Sequence, residues 1–241
     1  MSGHSKWSSI KHAKGLADAK RGKIFSKYAV AIALASKEAG GDVNSSPKLR
    51  LLVDRAKAAG MPKDNIERAV KRGTGEGGDA GTIEEMYFEG YGPGGVALII
   101  HAITDNRNRA VADVKHVLSK FDGKMGGEGS VKWMFREIGT IVIDKEKWSN
   151  EFEMKAIEAG AVDIKVLDDV VEIETGNTDL HVVKSEIEKF VEVADAYLEW
   201  VGNQMVDVSD QSTKDKIDRL IESLDDSQDV EEIFTNANYI D

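Results

Sequence analysis

GTIVIDKEKWSNEFEMKAIEAGAVDIKVLDDVVEIETGNTDLHVVKSEIEKFVEVADAYLEWV, residues 139–201, decides the fold. The β-branched run 140–144 reads as a strand. Residues 151–159 then change to helical spacing and stop at Gly160. Two strands follow, 162–167 and 170–174, joined through the paired acids Asp168 and Asp169. A helix over 180–193 and a strand over 197–201 complete the order β-α-β-β-α-β, that of a ferredoxin-like unit.

Working outward, the C-terminal stretch offers a helix at 214–224 and a strand at 230–234, too little to fold alone. Upstream, strands at 86–91 and 96–104 surround Gly92-Pro93-Gly94-Gly95, a turn whose glycines supply positive φ. A helix over 109–121 follows, with Val111, Val114, Leu118 and Phe121 on its inner face. The two ends complement each other, which makes the ferredoxin-like module an insertion. The expected boundaries are 1–75, then 82–130 together with 207–241, with 131–206 inserted.

The first third is different in kind. Residues 2–15 have no helical or strand period and read as a basic arm. From Leu16 a helix places Ile24, Phe25, Tyr28, Ile32 and Ala35 on one side and Lys20, Lys23 and Lys27 on another, so the lysine stripe is expected to face out. Ser46 before Pro47 supplies an N-cap and a first-turn proline for a second helix, whose buried stripe is Leu49, Leu52, Val53 and Ala56. A third short helix begins at Pro62, carries Lys71 and Arg72 in its last turn and stops at Gly73. Three amphipathic helices make a small bundle. Residues 73–81 hold five glycines in nine positions, which predicts a flexible tether that lets the bundle fold back or swing out.

At 241 residues, 41% hydrophobic and 31% charged, with three prolines, the chain has globular composition. No apolar run is long enough to span a bilayer and the opening residues lack the apolar core of a signal peptide, so a cytoplasmic protein is expected. The absence of cysteine excludes disulfides, thiolate metal sites and cysteine nucleophiles. The net charge of −11 conceals a split. Residues 1–75 carry 16 Lys+Arg against 6 Asp+Glu, a net of +10, and residues 76–241 carry 16 against 37, a net of −21. A basic segment joined to acidic domains points to a nucleic-acid-contacting module attached to something with another task, or to two differently solvated surfaces.

Catalysis finds no support in the pattern. Neither glycine-rich loop joins a strand to a Gly-Lys-Ser/Thr helix start, so linker and turn explain them better than phosphate cradles. The five histidines show no metal-ligand spacing. Adjacent carboxylates at Glu84-Glu85 and Asp168-Asp169 read as surface charge, and no serine sits in a nucleophile elbow. No enzyme, cofactor, metal or small-molecule substrate is expected. Two features remain. Arg107 and Arg109 open a helix, where the macrodipole disfavours cations, so they either grip phosphate or pair with acids of a neighbouring domain. In the arm and first helix, Lys6, Trp7, Lys11, His12, Lys14, Lys20, Arg21, Lys23 and Lys27 interleave cations with a ring able to stack; a solvated basic helix is the plainer alternative.

Five ordered stretches add a resemblance: Gly-His-Ser-Lys-Trp-Ser-Ser-Ile-Lys-His at 3–12, Arg-Gly-Lys-Ile-Phe-Ser-Lys at 21–27, Met-Pro-Lys-Asp-Asn-Ile-Glu-Arg-Ala at 61–69, Thr-Asp-Asn-Arg-Asn-Arg at 104–109 and Gly-Ser-Val-Lys-Trp-Met-Phe at 129–135. Together they resemble the YebC/PmpR family, whose mitochondrial relatives are translational activators of cytochrome c oxidase subunit I. Val43 and Ala110 are small departures, standing where the family often has proline and threonine. The resemblance implies an α+β protein of three domains, an N-terminal three-helix bundle followed by two α/β (ferredoxin-like) domains with the third inserted in the second. It also implies a regulator of gene expression with DNA or RNA as partner. The family includes transcriptional regulators that bind promoter DNA and ribosome-associated factors that act through rRNA or tRNA, and both are open at this point.

Overall fold

The computed structural model describes residues 18–76 and 83–240. The chain forms two compact units: Arg136–Val201 is one, and the preceding residues together with Gly202–Asp241 are the other. Seven α-helices occur among the described residues, and the architecture is α+β.

The larger unit begins with three helices, α1 (Asp18–Ala39), α2 (Pro47–Ala58) and α3 (Lys63–Gly73). Ser46 caps α2 by accepting the Leu49 N–H at 3.2 Å, with Pro47 in the first turn. Ile32, Ala35, Leu49, Val53, Ala56, Met61, Ile66 and Ala69 close the core of the bundle. Gly73 is part of this packing. A Cβ there would collide with the Ala33 carbonyl and come within 2.7 Å of Ser36 Cβ, so glycine permits a close helix crossing. The chain turns instead at Gly75, whose φ is +81°.

Strands β1 (Glu84–Tyr91) and β2 (Ala97–Thr104) form an antiparallel hairpin through Gly94 and Gly95, both at positive φ. Helix α4 (Arg107–Lys120) and strand β3 (Lys124–Met125) follow. After the inserted unit come β8 (Val206–Val208), α7 (Gln211–Asp225), β9 (Val230–Thr235) and β10 (Ala237–Tyr239). The four-stranded sheet has order β3-β1-β2-β9, and β8 pairs with β10 separately. Alternate residues Leu98, Ile100 and Ala102 of β2 pack with Ala110, Val114 and Leu118 of α4 and with Leu220 and Leu224 of α7. Ile103, pointing the other way, packs with Ala31, Ala33 and Leu34 of α1 and with Ile83. Helix α1 therefore contacts both the bundle core and the sheet unit. Its run 29–35 is apolar on every side, and a helix apolar all round is a buried one. Of the two positions a glycine tether allows, folded back or swung out, this contact is the folded-back one.

The inserted unit contains β4 (Phe135–Asp144), α5 (Asn150–Ala159), β5 (Asp163–Val166), β6 (Val170–Gly176), α6 (Leu180–Ile187) and β7 (Asp195–Gly202). The sheet order β5-β6-β4-β7 is the ferredoxin-like arrangement. Ile141, Ile143, Ile173, Val183 and Ile187 are buried in it. Helix α6 ends at Ile187, shorter than the 180–193 expected. The Phe190 and Val191 N–H groups both turn back to the Ile187 carbonyl, and Phe190 packs on Phe152 with ring centroids 5.4 Å apart.

Candidate nucleic-acid interface

Five of the candidate residues, Lys6, Trp7, Lys11, His12 and Lys14, lie outside the described residues. Lys20 and Arg21 fall in the first turns of α1, where only the backbone is described. Lys23 and Lys27, the rest of the lysine stripe, both pair with acids at the end of α7, and Lys23 stays largely exposed as expected. Lys23 Nζ donates to Asp226 Oδ1 at 2.6 Å and to the Asp226 carbonyl at 3.2 Å; Lys27 Nζ does the same with Asp225, at 2.7 and 3.0 Å. The Lys27 side chain is 16% exposed, while Lys23 is 52% exposed. The physical reason is the end of α7. Its last carbonyls lack helical partners and carry the negative pole of the macrodipole, and two aspartates there add full charges.

Arg109 converges on the same turn. Its guanidinium makes a two-pronged bond to Asp229, Nε to Oδ2 at 2.9 Å and Nη2 to Oδ1 at 2.7 Å, and reaches Asp105 at 2.9 Å. The Asp229 side chain is 5% exposed. Hydrogen bonding to Asp229, and then to Asp105, pushes the Arg109 pKa further up. The bond from Arg109 in turn holds Asp105 below the usual carboxylate range. Of the two meanings open for a cation in the first turn of α4, Arg109 has the internal ion pair. Arg107 is 66% exposed and 3.7 Å from Glu84. Three candidate cations thus meet one acidic turn, 225–229.

Further exposed cations of the bundle sit elsewhere. A groove of about 620 Å³ between α2 and α3 has Val43, Val53, Met61, Ile66 and Val70 along its floor. Lys57, Lys63 and Lys71, with one acid, Glu67, also line it, each exposed to solvent. Lys57 is 3.4 Å from Asp54 and Lys63 3.5 Å from Glu67, surface pairs of little strength. Lys57 and Lys71 are visible in the sequence as cations in the last turns of α2 and α3, but their convergence with Lys63 on one groove is tertiary. Among the described residues no cluster of His, Asp and Glu has metal-holding geometry, and no helix is long and apolar enough to cross a membrane.

A basic helical bundle packed on an interrupted α/β unit, with a ferredoxin-like insertion, is an architecture found in solved proteins. The crystal structure of a conserved hypothetical protein from Aquifex aeolicus superimposes with a TM-score of 0.89 at 38% identity, covering 98% of both chains. Residues 5–76 match the model of the TACO1/YebC protein N-terminal domain, and residues 83–237 match that of the TACO1/YebC second and third domain. The chain belongs to the TACO1/YebC family. A protein from Desulfosudis oleivorans named "Probable transcriptional regulatory protein" is 45% identical over 100% of this chain and 98% of its own length. One of the same name from Persephonella marina is 43% identical over 98% of this chain and 95% of its own length.

Proposed function

We propose that the chain is a non-enzymatic, cytoplasmic regulator of gene expression that acts by binding nucleic acid, in the first instance promoter DNA. The observation that carries this reading is the charge split, +10 over residues 1–75 against −21 over the remainder, with Lys57, Lys63 and Lys71 exposed on one side of the bundle. The relatives' common name points the same way. In this reading residues 1–75 form the contacting module. The arm residues Lys6, Trp7, Lys11, His12 and Lys14 and the α1 residues Lys20 and Arg21 join the α2–α3 lysines on the phosphate backbone, with Arg107 at the margin. Lys23, Lys27 and Arg109 serve the protein's own architecture first. Phosphate contacts position a protein without reading sequence, so this surface supplies affinity, and specificity comes from elsewhere. The test is crosslinking in cells followed by sequencing of the attached nucleic acid. Promoter fragments are the expected result. Ribosomal or transfer RNA would reassign the protein to translation, and recovery of neither would overturn the nucleic-acid reading.

A further inference from the structure

The glycine-rich loop after α4 is held from inside by a carboxylate. Glu89 of β1 is buried, and its oxygens accept the backbone N–H groups of Gly129 at 2.6 Å, Val131 at 2.7 Å and Lys132 at 2.8 Å. The Tyr91 hydroxyl donates to the Ser130 carbonyl at 3.0 Å. The Trp133 indole N–H donates to that same carbonyl at 3.1 Å. Such an arrangement fixes the loop 126–134 firmly, and what it presents is an indole that is 60% exposed.

Three observations say what such a ring is for. Its one polar group is already bonded within the loop, so the ring offers a face and needs no donor partner. Of the surrounding residues, Lys124 on β3 and Gly127, Glu128, Gly129 and Lys132 in the loop are exposed, whereas Val131 is buried and Met134 half-buried. Within residues 126–134 no other large apolar side chain is exposed, so the loop offers the ring without an apolar patch around it. Two exposed lysines lie close by in the chain, Lys132 beside Trp133 and Lys124 on β3 just before the loop, in a region, 76–241, that carries −21.

We propose that Trp133 is a stacking platform for an unpaired nucleobase, with Lys124 and Lys132 meeting the adjoining phosphates. The inference rests on the nucleic-acid reading above and adds the ligand class, single-stranded nucleic acid. Every base has a π-face, so one fixed indole accepts any of the four. A duplex keeps its faces stacked inside and cannot use the site.

Full-length protein is titrated by fluorescence anisotropy against a labelled mixed-sequence single-stranded RNA and against the duplex of the same sequence, at one salt concentration. Trp133→Ala is expected to weaken single-strand binding by about tenfold, the scale of one stacked base, and to leave duplex binding within about twofold of the wild type. Trp133→Phe, which keeps a ring, is expected to retain most of the affinity. In a variant with Trp7, Trp148 and Trp200 changed to Phe, the remaining indole emission is expected to be quenched by single strands and not by duplex. Unchanged single-strand affinity in Trp133→Ala, or an equal loss on duplex, would overturn the platform alone. Failure of the wild type to bind either form would overturn both the platform and the reading beneath it.

Discussion

Arg109 reaches across 120 positions to a buried Asp229, whereas Arg107, two residues away, lies exposed beside Glu84. Removing Arg109 leaves the Asp229 carboxylate without its partner in a dry site, and breaking a buried pair costs 3–5 kcal/mol. Because Arg109 itself is 36% exposed, solvent screening lowers the expected cost of Arg109→Ala to about 2–3 kcal/mol. Arg107→Ala should stay within about 0.5 kcal/mol of the wild type. Urea denaturation of the two single variants checks this, and equal losses would contradict it. Glu85 gives a pH signature. Its hydrogen bond from His101 at 2.9 Å outweighs burial, and Lys48 adds to the effect, so its pKa in the folded state lies below the ordinary 4.5. A depressed carboxylate contributes stability that is fully present above its unfolded value and lost as pH falls through the folded one. The stability gap between wild type and Glu85→Gln should therefore shrink as pH falls below 4.5; a gap that does not change there would refute the assignment.

At the scale of elements, the contact between α1 and the end of α7 makes the most specific prediction. Asp225 and Asp226 compete with phosphate for Lys27 and Lys23, so these lysines are expected to release few counterions when nucleic acid binds. Lys23→Gln with Lys27→Gln should change the slope of log affinity against log salt by less than about 0.5 in the wild-type background. With Asp225→Asn and Asp226→Asn already made, duplex affinity should rise, and the same lysine changes should flatten the slope by about 2. Identical effects in both backgrounds would mean that the aspartates do not compete with phosphate. None of this pairing was legible in the sequence. Periodicity reports which residues share a face of one helix, but Lys23 and Asp226 are 203 positions apart, and only tertiary packing brings them together. The same holds for Glu89, which as an acid in a strand reads as a solvated side chain and instead holds three loop amides. Local chemistry was legible. The β-α-β-β-α-β alternation, the Ser46 cap with Pro47 and the Gly94-Gly95 turn depend on neighbours within a few residues, and each stands in the structure. Within the glycine run, Gly73 serves helix packing, and composition does not distinguish a glycine chosen for closeness from one chosen for freedom.

At the scale of the whole molecule, a basic bundle stands beside acidic domains. A total of −11 repels polyanions at long range, and within a Debye length of about 8 Å in physiological salt the local cations decide the outcome. Phosphate contact by Lys57, Lys63 and Lys71 is the most accessible part of that claim, since all three are exposed and none is tied into the 225–229 turn. The decisive measurement is the salt dependence of duplex binding by the full chain, wild type against Lys57→Gln, Lys63→Gln and Lys71→Gln combined. Each neutralised phosphate adds about −0.9 to the slope, so the triple change should flatten it by roughly 2–3 and weaken binding across unrelated sequences alike. An unaltered slope in a variant with unchanged helicity by circular dichroism, or a wild type that binds no nucleic acid at low salt, would contradict the account.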